Sequence, residues 1–197
     1  MELRRRTILN SAFGKIAVGQ ILLIICCIFY LIWWSISYRP GVEVNRAGGL
    51  NGILLMITAF CGLAGVFVSI YGANVIPKTG RMKITGGQAV IGWILIYVML
   101  LIVTRFIFHR QVTTELLLIT GWAALEITVI SSLDGAGKLS DTRFFILLAV
   151  IVAAVVVSMI LYVLYYRMEE MKAFYAAMVP LITEAISMAA VLLVTLI

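Results

Sequence analysis

The chain has 197 residues, of which 63% are hydrophobic and only 12% are charged. A soluble domain is about half apolar and about a quarter charged, so this chain cannot cover itself with polar surface in water. The net charge of +6 does not indicate nucleic-acid binding, because the basic residues lie in short links between apolar runs. There they set topology and contact anionic head groups. The composition predicts an all-α polytopic membrane bundle.

Six apolar runs follow one another, each near the ~20 residues that cross a hydrocarbon core of ~30 Å. Residues 1–197 are therefore expected to form a single transmembrane domain. The basic start MELRRR precedes a run too long for a signal peptide, so the first run is expected to remain as a span. Short links predict that consecutive helices are antiparallel neighbours. The predicted spans are residues 16–37, 49–71, 89–108, 113–130, 144–166 and 174–197.

The orientation follows from lysine and arginine. With the N-terminus inside, nine of the fifteen basic residues lie in inner segments, which favours a bundle with both termini in the cytoplasm. We expect an integral, multi-pass protein of a bacterial cytoplasmic membrane.

Three segments align on an Ile-Thr pair: LLMITAFCGLAG, LLLITGWAALEI and PLITEAISMAAV. They suggest three repeated helical hairpins, the alternative being chance similarity between low-complexity apolar segments.

The last span carries a carboxylic acid, Glu184, near its middle. A charged group at that depth costs about 2.5–3.5 kcal/mol on insertion scales, so Glu184 is expected to face the interior, either protonated or paired. Pro180 lies one turn earlier and removes the hydrogen bond to the carbonyl of Ala176. A kinked helix with a free carbonyl and an acid predicts a site for a cation, a proton or a polar ligand group. The alternative is a Glu184 that only packs, hydrogen-bonded across helices.

The fourth span contains two more acids, Glu115 and Glu126, with Trp122 nearby. Eleven residues turn a helix through about 1,100°, so both acids share one face, which suggests an interior position. Glu126 lies about one turn from the inner end of its span. The alternative to an interior position is that Glu126 reaches interfacial water or pairs with a lysine.

Aromatic residues are more frequent at the predicted outer end than at the inner end. An interfacial belt places aromatic residues at both ends of a bundle alike. The asymmetry therefore suggests that some outer aromatic residues line a pocket for a flat organic ligand or a cation. An asymmetric belt is the alternative. The predicted ligand-binding residues are Trp33, Trp34, Trp122, Tyr162, Tyr165 and Tyr166, with Glu184 and Glu126 deeper.

Arg105, His109 and Arg110 form a basic group at the outer boundary, where we expect a head-group or anion contact. Cys26, Cys27 and Cys61 lie inside apolar runs without a CxxC pair or a histidine cluster, so no metal and no cofactor is expected. The sequence also lacks Gly-x-Ser-x-Gly, His-Glu-x-x-His and a phosphate-binding loop. We therefore expect no enzymatic activity.

The leading hypothesis is a protein that binds or transports a small organic solute, with a ligand cation or a coupling proton on the buried acid. The alternative is a non-catalytic assembly or regulatory subunit of a larger membrane complex. Small-residue faces at Gly48, Gly52 and Gly62, and at Ala149 and Ala153, would then pack against partner helices. The expected partners are the lipid bilayer together with a solute or proton, or a membrane protein or second copy, and no nucleic acid.

Overall fold

The computed structural model describes residues 2–41, 48–77, 80–82, 84–106, 114–165 and 167–197. Within these ranges, side chains are described for all positions except 2–5, 48, 86 and 114–116. The described chain is helical, with no strand in those ranges. The helices are α1 (Glu2–Ser37), α2 (Gly48–Val75), α3 (Gly86–Phe106), α4 (Thr114–Gly135), α5 (Asp141–Tyr165), α6 (Glu170–Ala176) and α7 (Val179–Leu196).

Six stretches are long and apolar enough to cross a membrane, with α6 and α7 together forming the sixth. This confirms the predicted all-α chain with six long apolar helices, which are compatible with a multi-pass membrane bundle. The first helix differs from its predicted span, because it begins at Glu2 rather than at residue 16. Its 36 residues give a length of about 54 Å, so α1 extends well beyond a hydrocarbon core of ~30 Å.

The tightest helix packing joins α1 to α2 through small residues, a contact we call the α1–α2 seam (Ala12, Gly19, Gly65, Ser69 and Gly72). A Cβ atom at Gly19 would lie 2.8 Å from the carbonyl oxygen of Gly65, and one at Gly72 would lie 2.8 Å from that of Ala12. Gly62 also meets α1, at the Cys26 sulfur, whereas Gly52 has nothing within 4 Å of such an atom. Close backbone approach at small residues is how membrane helices gain packing contacts without a hydrophobic driving force.

Helix α4 is the central helix of the bundle and contacts α2, α3, α5 and α7. Of its apolar stretch, 67% is buried, against 6% for α3, which packs mainly on α4 among the described helices. The outward faces of α2, α3 and α5 are apolar and exposed, so they contact lipid. Buried polar side chains are concentrated along α4, at Thr120, Glu126, Thr128, Ser131, Ser132 and Asp134.

Asp134 joins the end of α4 to the segment between α2 and α3, which we call the link before α3. Its buried carboxylate accepts a hydrogen bond of 2.6 Å from the backbone N–H of Arg81 and pairs with the Arg81 guanidinium at 3.3 Å. Arg81 also pairs with the exposed Asp141 at the start of α5. One arginine thus joins α4, α5 and the link at the end of the bundle where α4 finishes.

Candidate functional site

The sixth span is broken between α6 and α7. Two turn residues, Ala177 and Met178, separate the helices, and Pro180 is at the start of α7. Proline has no N–H, so the carbonyl of Ala176 lacks the donor that a continuous helix would supply. The backbone remains close to helical at Ala177 (φ −66°, ψ −21°). The break therefore frees one backbone acceptor without unwinding the span.

A cavity of about 270 Å³ lies beside this break, between α1, α4, α5 and the two halves of the sixth span. It is at the end of the bundle where α1 and α5 finish and α6 begins, which we call the aromatic end. Most of its wall is apolar or aromatic. The described residues that line it are Tyr30, Trp34, Leu118, Ile119, Ser158, Leu161, Tyr162, Tyr165, Ala176, Ala177, Pro180, Leu181 and Glu184.

Glu184 is the only carboxyl group among these lining residues. Its side chain is buried, with 5% of the residue exposed, and no salt bridge within the described part of the chain reaches it. The Ser158 hydroxyl on the opposite wall already donates to the carbonyl of Ala154 at 2.7 Å. Glu184 is therefore the strongest electrostatic feature of the cavity, and a cationic group is its natural complement.

Trp34, a lining residue of the cavity, joins the end of α1 to α6. Its indole N–H donates to the carbonyl of Phe174 at 3.3 Å, and its ring stacks on that of Phe174 with centroids 6.4 Å apart. Phe174 is buried although α6 is only seven residues long. Helix α6 is therefore held by one stacked and hydrogen-bonded pair together with its contacts to α5 and α7.

The structure brings four predicted residues, Trp34, Tyr162, Tyr165 and Glu184, to the walls of one cavity, together with Pro180. Trp33 does not line it. The ring of Trp33 packs against Tyr30 and Tyr38, with centroids 5.1 and 5.4 Å away.

Glu126 lies elsewhere, in the core of the bundle. It is 0% exposed, and one of its oxygens, Oε1, accepts a hydrogen bond of 2.8 Å from the Nε2 of Gln20 on α1. Glu126 therefore does not match the alternative in which it reaches interfacial water or pairs with a lysine, because α4 continues to Gly135 and is the central helix of the bundle. The second oxygen of Glu126, Oε2, has no hydrogen-bond partner among the described residues, so no hydrogen bond joins Glu126 to Glu184.

Gln20 is the polar partner that sequence reasoning missed. Its signal was visible as the one amide within the apolar run IAVGQILLIICC. Trp122, one turn before Glu126, is buried and does not line the cavity, and its indole N–H has no acceptor among the described residues.

The remaining predicted residues lie away from the cavity or beyond the description. Arg105 is exposed near the end of α3 and is not a lining residue. His109, Arg110, Tyr166 and the side chain of Glu115 lie outside the described residues. Within the described ranges, no three His, Cys, Asp or Glu side chains are grouped closely enough to hold a metal ion.

No protein-family model, curated protein or solved structure matches this chain.

Proposed function

We propose that the chain binds or transports a small organic solute with a positively charged group, held in the cavity at the aromatic end. The observation that carries the proposal is Glu184, a buried carboxyl group with no basic partner in the described chain, at a cavity of about 270 Å³. Ligand pockets usually measure about 300–1,000 Å³, so the solute is small. Aromatic faces attract cations by about 0.5–2 kcal/mol each, which adds to the pairing with Glu184.

The proposed topology places both termini in the cytoplasm of a bacterial cell, with the aromatic end facing outward. It is supported by the excess of lysine and arginine in the links at the opposite end. The cavity then opens from the outer half of the bilayer, and the freed carbonyl of Ala176 gives the solute a second polar contact. The three sequence segments that share an Ile-Thr pair support descent from three hairpins: α1–α2, α3–α4 and α5 with the sixth span.

Native mass spectrometry of the protein, extracted gently from its own membranes, tests the proposal. We expect one small molecule per chain in the wild type and none in Glu184→Gln, which keeps the shape of the side chain and removes its charge. The matched control is Glu170→Gln on the exposed face of α6, which should retain the molecule. A wild type that carries only phospholipid, or a Glu184→Gln variant that still holds the small molecule, would contradict the proposal.

A second candidate is a non-catalytic assembly or regulatory subunit. It is supported by Ala149 and Ala153, small residues on the exposed face of α5, and by the open space around Gly52. Gly62 no longer supports it, because that residue packs on α1 within the chain. A stoichiometric protein partner, co-extracted with a chain that holds no solute, would favour this function. We propose no enzymatic activity, since the sequence offers no catalytic motif.

A further inference from the structure

A second polar site lies in the core of the bundle, apart from the cavity. Its centre is the pair of Glu126 on α4 and Gln20 on α1, both 0% exposed and joined by a single hydrogen bond of 2.8 Å. The bond uses the amide nitrogen of Gln20 and one carboxyl oxygen of Glu126. The two remaining oxygens, Oε1 of Gln20 and Oε2 of Glu126, are buried and have no hydrogen-bond partner among the described residues.

The two unpartnered oxygens of this pair are unusual for a protein core. About 90% or more of buried polar groups in folded proteins are hydrogen-bonded, yet Oε1 of Gln20 and Oε2 of Glu126 both lack a partner in the described part of the chain. Two unsatisfied oxygens on one fully buried pair therefore indicate that a further group completes this site.

The missing group must be a donor or a cation. A carboxylate and an amide oxygen both only accept hydrogen bonds, so neither can satisfy the other. The indole N–H of Trp122, one turn before Glu126, is buried but does not donate to it. No basic side chain of the described chain reaches the pair: Lys15 of α1 lies over the Tyr71 ring at 4.3 Å, α2 contains no charged residue, and α3 has only Arg105 near its far end. The charges of α5 are confined to its first turn, at Asp141 and Arg143.

We propose that Glu126 and Gln20 form an internal site for one monovalent cation, a proton or a sodium ion. A proton on Glu126 supplies the O–H that the Gln20 carbonyl lacks, and so closes a reciprocal acid–amide pair. A sodium ion uses the same two oxygens, which are ligands of the kind that hard cations prefer. The single carboxylate matches one positive charge, so a divalent ion is left unbalanced.

Infrared difference spectroscopy of the full chain in lipid tests the site. If a proton occupies it, the wild type shows the carbonyl stretch of a buried carboxylic acid, shifted in D2O, and the band is lost in Glu126→Gln. If sodium occupies it, that band is absent, and NaCl raises the melting temperature above that in choline chloride for the wild type but not for Glu126→Gln. Glu170→Gln, at an exposed acid, should behave as the wild type.

Two further results keep the test decisive. In Glu184→Gln the acid band or the sodium effect should persist, which assigns it to Glu126 even if Glu126→Gln does not fold. The proposal is overturned if the wild type shows neither a buried acid nor a sodium effect, or if Glu184→Gln abolishes whichever signal is present. Failure of the solute proposal would appear separately, as the absence of a small molecule in the mass spectrum.

Discussion

Substitution of Gly19 by alanine tests whether the small residues of α2 serve the chain itself or a partner. An added Cβ would meet the Ser69 side chain and two backbone atoms, the oxygen of Gly65 and the nitrogen of Ser69, each 2.8 Å away. The serine side chain can rotate, but the backbone atoms cannot give way unless the helices separate. At Gly52 of α2, the same added atom would meet nothing within 4 Å. The two positions form a matched pair for one chemical change.

The expected cost follows from the geometry. Ordinary contact begins at 3.4 Å, so the α1 and α2 backbones must separate by about 0.6 Å at Gly19. A gap of 0.5–1 Å loses about a quarter to a half of each dispersion contact, and overpacking typically costs about 1–3 kcal/mol. Replacing a glycine inside a helix by alanine stabilises the folded protein by about 0.5–1 kcal/mol. We therefore expect Gly19→Ala to lower the free energy of unfolding by about 1–2 kcal/mol, and Gly52→Ala to leave it unchanged or slightly raised.

The assay is equilibrium unfolding of the purified chain in mixed micelles, followed by circular dichroism. Both variants are measured together with the wild type at several protein concentrations. Equal stability of Gly19→Ala and the wild type would refute the packing argument for the α1–α2 seam. If Gly52→Ala instead destabilises the protein, and only at concentrations where it self-associates, the small face of α2 serves an interface, which favours the assembly-subunit alternative.

Two further predictions concern α6 and the link before α3. Trp34→Phe removes the hydrogen bond to Phe174 but keeps a ring, so α6 should show faster amide hydrogen exchange, and the solute proposed for the cavity should exchange faster. Trp33→Phe, which lies outside the cavity, should change neither. Asp134→Ala should cost about 1–3 kcal/mol of stability, because it leaves the backbone N–H of Arg81 without its acceptor. Asp141→Asn, at an exposed ion pair, should cost under about 1 kcal/mol in the same unfolding assay.

The six apolar helices were predictable because hydropathy and length depend only on local sequence. The extension of α1 to Glu2 was not predicted, since basic residues outside the hydrocarbon core are as compatible with a helix as with a loop. The Gln20–Glu126 pair could not be predicted either, because the residues are 106 positions apart. Sequence marks each as a polar residue in an apolar run, but helix packing alone decides which two meet.

The residues that line the cavity were also only partly predictable from the sequence. The clustering of aromatics at one end, and an acid one turn after a proline, indicated the residues that now share a wall. Sequence could not separate Trp33 from Trp34, although only Trp34 lines the cavity. Adjacent residues on a helix point about 100° apart, so the rotation of α1 against its neighbours decides between them. That rotation is set by the α1–α2 seam, where Gly19 and Gly65 fix which face of α1 turns to α2.

The distribution of packing divides the bundle into a fixed part and a part that can open. The α1–α2 seam holds two backbones in close contact, and Asp134 ties the end of α4 to α5 and the link through Arg81. At the aromatic end, by contrast, α6 is short, is separated from α7 by the break before Pro180, and is fastened to α1 through Trp34. Segments with few contacts open at the lowest free-energy cost. Entry of the proposed solute to Glu184 is therefore expected by displacement of α6, and the proposed Glu126 site, between α1 and α4, should not move with it.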